Sequence, residues 1–124
     1  MDRIEHVPTS KTPYVLLDPN GTIKFRGRSI PEDVTLFYDE ILDWVRIYSN
    51  AASPVTEVDV EMEYLNSGTS KYMLKILKVI KDIELKGHEL KINWIYEEGD
   101  DDIRERGEYY ASILDLNINF IEIE

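Results

Sequence analysis

Apolar positions along the chain change their period several times, and each change marks an element. Over Val55–Tyr64, Val58, Val60, Met62 and Tyr64 alternate with Glu57, Asp59, Glu61 and Glu63. This predicts a strand with one apolar and one acidic face. Tyr14–Leu17 and Thr22–Arg26 are short strand-like runs separated by Asp18-Pro19-Asn20-Gly21. Asn-Gly between such runs predicts a hairpin. Val34, Phe37, Tyr38, Ile41, Leu42 and Val45 recur at helical spacing, with Trp44 and Tyr48 at the edge of the stripe. Ser29-Ile30-Pro31-Glu32-Asp33 precedes them with small polar caps, an early proline and acids, the chemistry of a helix start. Met73, Ile76, Leu77, Ile80 and Ile83 form a second helical stripe, closed by Gly87, a natural residue for a helix end. Leu90, Ile92, Trp94 and Tyr96 predict a strand within His88–Tyr96. Ile103–Leu114 predicts a short helix broken or offset at Gly107, and Asn117–Glu124 a final strand.

The order is hairpin, helix, strand, helix, strand, short helix, strand. It predicts an α/β fold: a single mixed β-sheet of about five strands, antiparallel at its start and parallel afterwards, with helices mainly on one face. No repeat or linker divides residues 1–124, so one domain is expected, with residues 1–11 as a mobile tail.

Composition narrows the function. With 14 Lys and Arg against 25 Asp and Glu, the net charge is -11. Such a surface repels nucleic-acid backbones and anionic membranes and favours protein partners. The absence of cysteine excludes disulfides, thiolate metal sites and cysteine nucleophiles. The first residues lack the apolar core of a signal peptide, and no run reaches the length of a membrane span. A soluble cytoplasmic protein is expected.

Candidate chemistry is sparse. His6 and His88 have no metal-ligand neighbours at useful spacing. Glu57, Asp59, Glu61 and Glu63 resemble a paired-acid site, and Glu97-Glu98-Gly99-Asp100-Asp101-Asp102 a weak cation loop, so a metal-dependent enzyme is one reading. Solvated acids on a sheet face and at a helix start are the other, since the loop lacks the spacing of a calcium-binding helix-loop-helix. Tyr64-Leu65-Asn66-Ser67-Gly68-Thr69-Ser70-Lys71 is denser in function: three hydroxyls surround one glycine where a strand gives way to a helix. Ser67 or Thr69 can cap that helix. Alternatively, one of these hydroxyls is a substrate for another protein.

Several segments, in this order and spacing, carry a resemblance. They are Gly27-Arg28-Ser29-Ile30-Pro31-Glu32-Asp33, Phe37-Tyr38 with Ile41 and Trp44, and Glu63-Tyr64-Leu65-Asn66-Ser67 with Ser70-Lys71. Met73-Leu74 with Ile76-Leu77, Trp94-Ile95-Tyr96-Glu97, Asp101-Asp102-Ile103, Gly107-Glu108 and Tyr110 complete the set. From Thr12 to the C-terminus the chain resembles the SiaC-like regulatory phosphoproteins, a bacterial family similar to the anti-sigma-factor antagonists of the STAS fold. The resemblance implies a STAS-like fold and a non-enzymatic partner-switching protein without a cofactor. It implies a cognate serine/threonine kinase, a PP2C-type phosphatase and a downstream effector, a diguanylate cyclase in the best-known branch. The phosphorylated position corresponds to Ser67, with Thr69 and Ser70 as alternates; Asn66, Gly68 and Lys71 would shape the partner-binding surface. Serine stands here for the family's threonine, and Gly68 for a small hydroxyl residue, a change expected to loosen the loop because glycine admits positive φ. A passive interaction module without phosphorylation is the alternative within this reading.

Overall fold

The computed structural model describes residues 1–124. Six strands and three helices follow one another as β1 (Ile4–His6), β2 (Tyr14–Asp18), β3 (Thr22–Ser29), α1 (Val34–Ser49), β4 (Val55–Leu65), α2 (Ser67–Leu85), β5 (Glu89–Glu97), α3 (Asp101–Leu114) and β6 (Ile118–Ile123). They form one sheet in the order β1-β2-β3-β4-β5-β6. β1, β2 and β3 pair antiparallel, and β3 to β6 pair parallel. The mixed sheet is as expected; the sixth strand is β1, which pairs its three residues with Val15–Leu17 inside the segment expected to be a mobile tail. Three residues are too few to display an alternation.

Each parallel crossover moves one strand further in the same direction. Right-handed connections of that kind put every helix on the same face. Val15, Leu17, Ile23, Phe25, Val58, Val60, Met62, Ile92, Trp94 and Ile118 turn toward the helices and are buried. From α1 they meet Tyr38, Ile41, Leu42, Val45 and Tyr48, and from α2 Met73, Ile76, Leu77, Ile80 and Ile83. Burying each such side chain contributes about 1.5–3 kcal/mol. Trp44 and Tyr48 are also buried, and their rings stack at 5.2 Å.

Three local expectations change. First, the alternation of β4 does not run through Tyr64. Gly27 pairs with Met62 but Arg28 pairs with Tyr64, so Glu63 is an extra residue on β4. This bulge reverses the alternation: Tyr64 is 55% exposed and Leu65 is buried. Second, α3 is continuous through Gly107. A Cβ there would stand 2.7 Å from the Trp94 ring and 2.8 Å from Phe120, so the glycine serves close packing of helix on sheet. Third, Gly68 has no positive φ. It is helical, and its missing side chain lets Val34 approach, with a Cβ-equivalent distance of 3.1 Å.

Candidate functional site: the carboxyl edge of the parallel strands

α1, α2 and α3 all begin where β3, β4 and β5 end, so three helix N-termini share one edge of the sheet. An N-terminus carries free N–H groups and about half a positive charge. α1 is capped by Asp33, whose side chain accepts from Leu36 N, and α3 by Asp100, whose side chain accepts from Ile103 N. Asp101 and Asp102 add negative charge to the first turn of α3. α2 differs. Its cap is the neutral Asn66, which accepts from Thr69 N at 2.9 Å, and its first turn holds no acid. In a chain with 25 acidic residues, this is the helix start left without a negative charge.

The cap is therefore Asn66, not Ser67 or Thr69, and the three hydroxyls have separate environments. Ser67 is exposed at the first position of α2, where its own N–H and that of Gly68 have no intrahelical acceptor. Thr69 is fully buried. Its Oγ1 lies 2.8 Å from Ser29 Oγ and donates to the Ser29 carbonyl at 3.1 Å. Ser29 Oγ in turn lies 2.6 Å from the buried Tyr38 hydroxyl. The donor sequence Tyr38 to Ser29 to Thr69 to the Ser29 carbonyl satisfies every hydroxyl in this pocket. Burial pushes the Tyr38 phenol up to about 12, with the bonds to Ser29 and Thr69 acting in the opposite direction. Ser70 is half-buried and faces α3: its Oγ lies 2.8 Å from Tyr110 Oη and accepts from the Arg106 guanidinium, while Tyr110 Oη donates to the Ser70 carbonyl at 2.8 Å.

Of the residues expected to shape a partner surface, Asn66 is half-buried and committed to the cap, Gly68 is packed against Val34, and Lys71 is exposed. The structure adds what periodicity did not reveal. Tyr64, turned outward by the bulge, lines a groove with Asp100, Asp102, Glu105, Arg106 and Tyr109 beside the start of α2. Tyr64 and Tyr109 are both more than half exposed there.

The acidic strand forms no convergent site. Glu57, Asp59 and Glu61 lie in a row on the uncovered face, opposite basic or amide residues of the flanking strands. Lys24 pairs in register with Asp59, Arg26 with Glu61 and Lys91 with Glu57. Arg26 Nε is 3.4 Å from Glu61, and Asn93 Nδ2 donates to both Glu57 and Asp59. No three acidic or histidine side chains are grouped as metal ligands. The acids of the Glu97–Asp102 loop that enter α3 cap and charge its first turn. His6 sits in β1, with Nε2 3.1 Å from Glu40. No helix is long and apolar enough to cross a membrane.

The family model of the SiaC family regulatory phosphoproteins matches residues 6–123. The chain belongs to this family. A relative from Pseudomonas aeruginosa strain UCBPP-PA14, itself uncharacterised, is 26% identical over 107 residues, 85% of each chain. The crystal structure of apo-SiaC from Pseudomonas aeruginosa superposes with a TM-score of 0.82 over the whole of both chains at 22% identity. SiaC in its complex with the diguanylate cyclase SiaD, whose activator it is, gives a TM-score of 0.89 at 21% identity over 97% of this chain and 99% of that one. The SiaC-family fold is thus the fold of this chain.

Proposed function

We propose that this SiaC-family protein is a non-enzymatic switch, with Ser67 as the phosphorylated residue and an effector protein bound by the unmodified form. The observation that carries this reading is the exposed Ser67 hydroxyl at the uncharged start of α2. A kinase needs an accessible hydroxyl; Thr69 offers none, and the Ser70 oxygen is held by α3. A phosphate brings about -1.5 to -2 charge, and the free N–H groups and dipole of a helix N-terminus accommodate it. The fold need not change. The new charge repels and desolvates poorly against a partner that had packed on a neutral surface, and the partner leaves.

The effector that family membership suggests is a diguanylate cyclase, by analogy with the SiaD complex of the Pseudomonas protein. A serine/threonine kinase and a PP2C-type phosphatase would set the phosphorylation level in the cytoplasm. Asn66, Gly68 and Lys71 flank the switch, and the Tyr64–Tyr109 groove extends the surface that a partner can read.

Phosphosite mapping on protein isolated from its source cells, with pull-downs by Ser67→Ala and Ser67→Asp, tests this function. A phosphate on Ser67 is expected, and a cyclase captured by the alanine variant and lost by the aspartate variant. No phosphate under any growth condition, together with equal capture by both variants, would leave only a passive interaction module.

A further inference from the structure

Among the arginines, Arg3, Arg26, Arg46 and Arg104 have a carboxylate within ion-pair distance, and Arg28 and Arg106 have none. An unpaired guanidinium is unexpected in a chain of net charge -11. Arg106 instead spends its charge on a neutral acceptor, the Ser70 hydroxyl.

The placement of Ser70 explains what that position offers. α2 and α3 both run away from the carboxyl edge of the sheet, and Ser70 meets Tyr110 between them. Ser67 lies one turn nearer the edge than Ser70, and Arg106 one turn nearer than Tyr110. Residues three or four apart on a helix share a face, with Cβ atoms about 5–6 Å apart. A guanidinium held at Ser70 is therefore one helical turn from Ser67, within the reach of an arginine side chain. From this we infer that Arg106 is the receptor for a phosphate on Ser67, drawn from Ser70 when that phosphate arrives. The inference rests on Ser67 being the modified residue.

The exchange is favourable because a guanidinium fits a phosphate with two parallel hydrogen bonds, and charge-assisted bonds are roughly twice as strong as neutral ones. Ser70 keeps Tyr110 as its partner, so α3 stays docked while Arg106 turns. Arg106 also lines the groove that holds Tyr64 and Tyr109. Its capture thus carries the modification from α2 into the wall of that groove and withdraws a positive charge from among Glu63, Asp100, Asp102 and Glu105.

The test places phosphoserine at position 67 by genetically encoded incorporation and follows its second ionisation by phosphorus NMR across pH. Removing an adjacent positive charge raises an acid's pKa. Arg106→Gln is expected to raise the phosphate pKa by about half a unit or more. Arg28→Gln should leave it unchanged, because strand alternation puts Arg28 on the open face with Lys24 and Arg26. Ser70→Ala frees Arg106 from its resting partner and should lower the phosphate pKa, which keeps the test valid should Arg106→Gln fold poorly. Unchanged titrations in both the Arg106→Gln and Ser70→Ala backgrounds would overturn the assignment. So would a rise seen with Lys71→Gln and not with Arg106→Gln, which would make Lys71 the receptor. The phosphate is installed without a kinase, so a negative result here leaves Ser67 standing as the modified residue. A cell in which Ser67 is never phosphorylated would leave the chemistry of Arg106 intact and remove its occasion.

Discussion

Thr69 Oγ1 donates to the Ser29 carbonyl at 3.1 Å and lies 2.8 Å from the Ser29 hydroxyl, which ties the first turn of α2 to the end of β3. Both residues are fully buried. Thr69→Val keeps the shape and removes the polar oxygen, leaving Ser29 short of a partner. Stability should fall by about 1–3 kcal/mol, the cost of an unsatisfied buried group, measured by urea denaturation. A change below about 0.5 kcal/mol would mean that the Ser29 hydroxyl finds another acceptor.

The cap and the exposed hydroxyl should separate by mutation. Asn66→Ala removes the acceptor of Thr69 N and should cost about 0.5–2 kcal/mol. Ser67→Ala touches no cap and should stay within about 0.5 kcal/mol of wild type. Equal losses in the two variants would assign part of the capping to Ser67.

Tyr38 makes stability fall in alkali. Its folded pKa is raised to about 12 by burial, above the ordinary value of 10.0. The unfolded chain therefore loses this proton first. Stability from this group is complete below pH 10 and is lost as pH rises toward 12, by on the order of 2 kcal/mol. The difference in stability between wild type and Tyr38→Phe should shrink across that window. A difference independent of pH would place the phenol in contact with solvent.

Gly107→Ala should be among the most damaging single-methyl additions. The new Cβ would meet the Trp94 and Phe120 rings at 2.7 and 2.8 Å. Overpacking of this kind costs typically about 1–3 kcal/mol. Thermal unfolding should show a lower midpoint, and the near-ultraviolet circular dichroism of Trp94 should change; an unaltered protein would require α3 to shift freely on the sheet.

Much of this architecture is written in periodicity. Val58, Val60 and Met62 announce the covered face of β4, and Ile76, Leu77, Ile80 and Ile83 the buried stripe of α2. Periodicity fails where one residue carries the effect. The extra Glu63 turns Tyr64 outward, which a strict alternation cannot anticipate, so the groove that Tyr64 lines is not visible in the sequence. Gly107 reads locally as a helix breaker, yet what selects it is contact with Trp94 and Phe120, distant in sequence. The hydroxyl-rich loop was legible as a place of interest. Sorting its three oxygens required Ser29, Tyr38, Arg106 and Tyr110, which reach it only through the tertiary fold.

The strands stand in the sheet in the order in which they occur in the chain, and this bears on how the molecule is made. From β2 onward, each strand forms beside one already synthesised, so the sheet can grow by successive addition at one edge. The chain up to the end of α2 contains β3 and β4, and with them Ser29, Tyr38, Asn66 and Thr69. Arg106 and Tyr110 follow on α3, so the side of the site that they build is added to a side already encoded before it.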